Sequence, residues 1–316
     1  MDDSLHQPHD KLFTATFGVP ENTAAFLKPL LPPAIAGSLD WAALRLLPGR
    51  FVDGKYQSTH TDLLFSVPLA GSETLLYLLF EHQSTRDTTL SLRLLRYLVR
   101  IWEDCLRARP GRSLPAILPV VLSQNADGWA PVPSLLEMLD LSGDFREAIR
   151  PYVPDFAHFH LQLAEMGFDE IPGTPSGVYV LRAMKAERLG CLLDAAVWEE
   201  EVLMEVPREL FQMVLRYILG ADIDRDAFED RVKTLRDPKV RADAMTLAQV
   251  YHQKGHQEGR QEGRRSSILK ALALRFGEVP EGLRVAVATE ADLDRLDQLV
   301  DLAITAPDLE SFVAAL

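Results

Sequence analysis

The sequence predicts an α+β (mixed α/β) fold: a core of αβββαβ order in the N-terminal half, then an all-helical C-terminal half. Three observations predict it. Two apolar runs with strand composition, 59–67 and 74–83, flank a turn-like segment holding Pro68 and Gly71. A long amphipathic stretch, 85–107, follows them, and then a short Val- and Ile-rich run, 114–122. From Pro131 onward the apolar spacing is almost entirely helical.

The elements follow in order. Residues 9–31 read as a helix, with Asp10 placed as an N-cap and Pro29, Pro32 and Pro33 ending it. The apolar stretch 41–51 leads into a first strand. The runs 59–67 and 74–83 form a hairpin with its turn near Gly71 and Ser72. The helix over 85–107 stops at Pro110-Gly111. The run 114–122 is a buried strand, and strand–helix–strand in this order implies a right-handed crossover. Asn125 to Gly128 is a loop, and 156–163 reads as a last strand. Helical spacing then covers 176–250. Gly255, Gly259 and Gly263 recur every fourth residue amid charge, which predicts a linker or weak helix, because each helical Gly costs about 1 kcal/mol. The end is a helical module: 268–276, a turn over 277–282, 291–304 and 308–316. The resulting domains are 1–165, a helical extension 166–250, a linker 251–265 and a small helical domain 266–316.

Composition narrows the function classes. The chain has 316 residues, 47% of them hydrophobic, and a net charge of −13. Its acidity is uneven: residues 1–130 carry 12 Lys and Arg against 13 Asp and Glu, residues 131–316 carry 21 against 33. Residues 85–112 hold seven arginines and three acids, a basic segment suited to phosphate. No apolar run approaches the ~20 residues of a membrane span, so no membrane partner is expected. The acidic N-terminus has no signal-peptide core, and two cysteines are too few for a disulfide scaffold. A cytoplasmic location is the expectation, and self-association into a homo-oligomer stays open.

The hairpin carries the candidate chemistry. A turn centred near Gly71 sets Asp62 opposite Glu81, and directly paired residues share a sheet face. Gln83 shares it too, two residues on. Two carboxylates close together on an apolar sheet are costly unless something neutralises them, and a divalent cation does so. A register slip of one residue would put them on opposite faces.

These residues resemble the PD-(D/E)xK nuclease superfamily, in which an acid on one strand precedes acid-x-lysine on the next. The closer resemblance is to the recombination-promoting nuclease (Rpn) family, also described as YhgA-like transposases. It rests on His9-Asp10 with Phe13 and Phe17, Thr61-Asp62-Leu63-Leu64, Glu81-His82-Gln83-Ser84, Arg93 to Tyr97, Leu118 to Leu122 and Gly128-Trp129, over roughly residues 5–165. The resemblance implies a PD-(D/E)xK nuclease-like αβββαβ core and metal-dependent cleavage of double-stranded DNA, linked to recombination or mobile elements. It implies Asp62, Glu81 and Gln83 as catalytic residues, with Mg²⁺, or Mn²⁺ or Ca²⁺, held by Asp62, Glu81 and Asp10. Two departures stand out: Gln83 occupies the lysine position, and Thr14 follows Phe13 where a lysine is expected. The alternative is a catalytically inactive nuclease-fold protein that binds DNA or regulates.

The other candidates have bland readings beside sharp ones. Asp10 is a metal ligand or an N-cap. His60, on the Asp62 face, touches substrate or is a polar strand-edge residue. His82 faces away from Glu81 and packs or caps. Arg93, Arg96, Tyr97 and Arg100 lie along one helical stripe; Arg93, Arg96 and Tyr97 are expected to contact DNA, against a solvated basic face. Trp129 is expected to pack in the core.

Overall fold

The computed structural model describes residues 8–47, 62–70, 75–83, 87–111, 113–124, 133–221 and 223–316; the side chains of positions 8, 62, 75–77, 81, 83 and 254 are outside this set. The expected turn at Gly71-Ser72, His60 and Trp129 also lie outside the described residues. The chain forms two compact units, Met1–Ala244 and Met245–Leu316.

The expected helix over 9–31 is broken into α1 (Pro8–Phe17) and α2 (Pro20–Leu27), and a short α3 (Pro33–Ala36) follows it. The first break falls at Gly18-Val19-Pro20. Pro20 opens α2 at its first position, where its missing N–H costs nothing. A Cβ on Gly18 would lie 2.6 Å from the Thr14 carbonyl oxygen, so the turn needs glycine there. Asn22 donates to Thr16 O (2.7 Å) and Thr23 to Phe17 O (2.5 Å), which satisfies carbonyls that end α1.

The sheet has five strands in sequential order: β1 (Arg45–Leu46), β2 (Asp62–Pro68), β3 (Leu75–Gln83), β4 (Ala116–Ser123) and β5 (Phe159–Gln162). β1, β2 and β3 pair antiparallel; β3–β4 and β4–β5 pair parallel. The parallel step is made by α4 (Leu90–Ala108), the expected crossover helix. Both faces of β3 are covered, which is why it reads as a continuous apolar run. On one face Leu64, Leu79 and Val121 pack under Leu90, Leu94 and Ile101 of α4. On the other, Phe80 meets Phe13, Phe17 and Phe26 of α1 and α2 at centroid distances of 4.9, 5.7 and 6.1 Å.

The helices after the sheet belong to the first unit rather than forming a separate extension. They are α6 (Pro175–Arg188), α7 (Glu200–Glu205), α8 (Arg208–Leu219) and α9 (Arg225–Lys233), while α5 (Gly143–Ile149) lies between β4 and β5. α6 is nearly buried along its length and lies beside α1. Its two buried cations are used up locally. Lys185 donates to Leu163 O (3.2 Å), Ala164 O (2.8 Å) and Met166 O, while Arg182 reaches Phe168 O (3.0 Å), Ala196 O (2.9 Å) and Glu199.

α10 (Pro238–Phe276) runs unbroken through the glycine repeat, so the linker expected at 251–265 is helix. The sequence signal for a break, three glycines, is outweighed in a 39-residue helix whose second half is anchored by packing of Ile268 and Leu272. In the second unit, Ile268 and Leu272 of α10 pack with α11 (Glu281–Thr289), α12 (Leu293–Thr305) and α13 (Leu309–Ala314) around Leu296, Leu299 and Phe312. α11 replaces part of the expected 277–291 connection. Asp292 and Asp308 cap α12 and α13, accepting from Arg295 N and Ser311 N. Among the described residues no helix is long and apolar enough to cross a membrane.

Candidate functional site

The β2–β3 register pairs Asp62 with Glu81 directly, as the hairpin argument requires. Alternation then puts positions 62, 81 and 83 on the face that carries Leu64 and Leu79, beneath α4. The parallel ladders extend two rows across the sheet. Glu81 lies beside Val121 and Val121 beside His160; Gln83 lies beside Ser123 and Ser123 beside Gln162. The candidate site thus lies at the C-terminal ends of β3, β4 and β5, with buried Val121 between Glu81 and His160.

α4 begins just past this row. Arg93 Nη1 is paired with Asp87 Oδ2 at 2.6 Å, and Asp87 also accepts from Thr89 N and Oγ1 (both 2.7 Å), which fastens the start of the helix. Tyr97 packs against the apolar cluster under α4, while Arg96 is exposed. The stripe is therefore split: Tyr97 has a packing role and Arg96 looks outward.

Asp10 requires a correction. It lies within the first turn of α1, not at its N-cap, and it is buried against His82, with Oδ1 3.2 Å from Nδ1. His82 alternates with Glu81, so Asp10 sits on the opposite sheet face from the row that holds positions 62 and 81. The expectation that Asp10 joins them around one ion is replaced by a pairing with His82, which also stacks on Phe13 at 5.1 Å. His82 does pack away from Glu81, as expected.

Sequence reading missed the rest of this network. Gln124 Nε2 donates to Met184 O (2.6 Å), and this turns Oε1 toward His82 Nε2 (3.0 Å). Both ring nitrogens of His82 thus face oxygens, Nδ1 that of Asp10 and Nε2 that of Gln124. Gln124 Nε2 is also 3.3 Å from His9 Nδ1, which accepts from the Tyr217 hydroxyl at 2.8 Å. Burial, aided by the charges of Arg188 and His82, lowers His9 to about 4, in keeping with a ring nitrogen that accepts. Burial raises the Tyr217 hydroxyl. The network joins α1, β3, the end of β4, α6 and α8, and it backs the strand segment that presents Glu81 and Gln83. The adjacent pair His9-Asp10 was its one sequence signal.

The five-stranded mixed sheet with helices on both faces is an α+β architecture consistent with a nuclease-like core. The chain belongs to the family described as "Putative transposase, YhgA-like", whose model matches residues 7–222. It is 26% identical over 258 residues to recombination-promoting nuclease RpnA of Escherichia coli (strain K12), covering 78% of this chain and 84% of that protein. It is 30% identical over 145 residues to recombination-promoting nuclease RpnD of Escherichia coli O157:H7, covering 46% of this chain and 55% of that one. It is 27% identical over 149 residues to a protein of Escherichia coli (strain K12) named inactive recombination-promoting nuclease-like protein RpnE, covering 47% and 49%. No solved structure matches the chain.

Proposed function

We propose that this protein is a metal-dependent endonuclease of double-stranded DNA, acting in the cytoplasm in recombination or mobile-element processes. The observation that carries the reading is the direct pairing of Asp62 with Glu81 on one sheet face. Two carboxylates at neighbouring strand positions, about 5 Å apart, suit a hard divalent ion such as Mg²⁺, with Mn²⁺ or Ca²⁺ as substitutes. When bound, the ion supplies Lewis acidity and a more acidic water. Asp62 and Glu81 hold it, Gln83 orients the water by its amide, and Arg96 at the exposed side of α4 steadies the phosphate backbone. His60, two residues before Asp62 in the sequence, and Arg93 and Tyr97 of α4 are further proposed contacts to the DNA. The names of the relatives RpnA and RpnD support the reading.

A second reading has its own support: Gln83 replaces the superfamily lysine, and RpnE is named inactive. In that case the fold binds DNA or regulates without cutting. Plasmid cleavage with Mg²⁺, Mn²⁺ and Ca²⁺, comparing wild type with Asp62→Ala, separates them. Metal-dependent nicking lost in Asp62→Ala supports the enzyme; no nicking with any ion, while DNA is still bound, supports the second reading.

A further inference from the structure

The row that holds Glu81 continues across buried Val121. His160, on β5, occupies the same row two strands away, about 10 Å across the sheet. Its Nε2 lies 3.0 Å from Ser123 Oγ, beside the Gln83 position, and that hydroxyl is 3.4 Å from Leu161 O. His158, two residues earlier, shares the face, with its ring 6.1 Å from that of His160. Beside His158 lies an open cavity of about 450 Å³, lined by Ser91 at the start of α4, Phe156, His158, and the exposed carboxylates of Glu137 and Asp155.

The lining says what the cavity takes. Burial lowers both His158 and His160, and the charge of His160 lowers His158 further, so neither offers a standing cation. Arg150, whose guanidinium is engaged by Glu147 at 3.0 and 3.2 Å, feels both Asp155 and Glu137. Two carboxylates at the mouth disfavour a phosphate. They accept well from an exocyclic amino group. Phe156 and the His158 ring offer flat faces of the kind on which bases stack.

We propose that this cavity receives an unpaired, amino-bearing nucleobase of the substrate strand. The base stacks on Phe156 and His158, and Asp155 and Glu137 accept from its amino group. The proposal rests on the nuclease reading for the direction of the strand, but its chemistry is tested by binding alone. An unpaired base enters more easily than one that must be extruded from a duplex.

The experiment measures fluorescence anisotropy of labelled oligo-dC and oligo-dT, about twelve nucleotides long, with the full chain in Ca²⁺. The amino-bearing dC strand is expected to bind several-fold more tightly than dT. His158→Ala is expected to weaken dC binding about tenfold, and the double change Asp155→Ala, Glu137→Ala to erase the dC-over-dT preference while keeping dT binding. All three positions are off the apolar core, and far-UV circular dichroism checks the folding of both variants. Equal binding of dC and dT by wild type, or an unchanged preference in both variants, overturns the proposal. Asp62→Ala, run alongside in the plasmid assay, reads the nuclease step separately. Cleavage without pocket-dependent binding removes the pocket alone, and pocket-dependent binding without cleavage removes the nuclease reading alone.

Discussion

Replacing Gln124 by Leu tests the network behind the site strand. Gln124 is 1% exposed and its amide is the only described link between Met184 O and His82 Nε2. Leu fills a similar volume but offers neither donor nor acceptor. It leaves the Met184 carbonyl and one His82 ring N–H without these partners, each costing about 1–3 kcal/mol when buried. His9 Nδ1 keeps its Tyr217 donor, so it adds little. Greater apolar burial offsets part of the cost. The expected loss is therefore about 2–4 kcal/mol. Urea unfolding followed by tryptophan fluorescence measures it cleanly, because all four tryptophans, at 41, 102, 129 and 198, belong to the Met1–Ala244 unit. A loss below about 0.5 kcal/mol at unchanged slope would refute the claim that this amide ties β3 to α6.

Other outcomes follow from the same structure. His9 is lowered from 6.5 to about 4 in the folded chain, so the unfolded state binds the extra proton between those values. Stability is then fully present above pH 6.5 and falls toward pH 4, by roughly 3 kcal/mol in all, and His9→Gln should flatten that slope in a urea series across pH. Asp62→Ala and Glu81→Ala should each lower plasmid cleavage by orders of magnitude while DNA binding in a gel-shift assay survives; equal rates in the mutants would move the activity elsewhere. Gln83→Lys should keep or raise the single-turnover rate by restoring a cation near the developing charge, and Gln83→Ala should lose less than Asp62→Ala. Gly255, Gly259 and Gly263 lie in helix with open space around each would-be Cβ. Changing all three to Ala should raise the thermal midpoint read at 222 nm, each contributing about 0.5–1 kcal/mol; no rise would mean that the segment is not helical in solution.

Much of the core was legible in the sequence because its signals are local. The apolar runs around Asp62 and Glu81, with Pro68 and Gly71 between them, imply a hairpin, and side-chain alternation then assigns faces. The amphipathic spacing of α4 and the Val-rich β4 imply the crossover. The family resemblance came from motifs strung along the same stretch, and the match over residues 7–222 agrees with it.

What tertiary structure decided depends on contacts between distant segments. Asp10 and His82 are 72 residues apart, Gln124 and Met184 are 60 apart, and His9 and Tyr217 are 208 apart. No periodicity relates such pairs, so Asp10 looked like a ligand or a cap until packing put it behind β3. His160 entered the row only through the β4–β5 register, which a four-residue edge strand barely marks in sequence. The glycine repeat shows the opposite failure. Local propensity favoured a break, but packing of Ile268 and Leu272 in the second unit helps hold the surrounding helix in place. Sequence by itself determined the family and the strand pairing that sets position 62 opposite 81, because motif order and side-chain alternation are local signals. Only the folded chain decided which distant residues meet, because burial and hydrogen bonding join residues the chain keeps far apart.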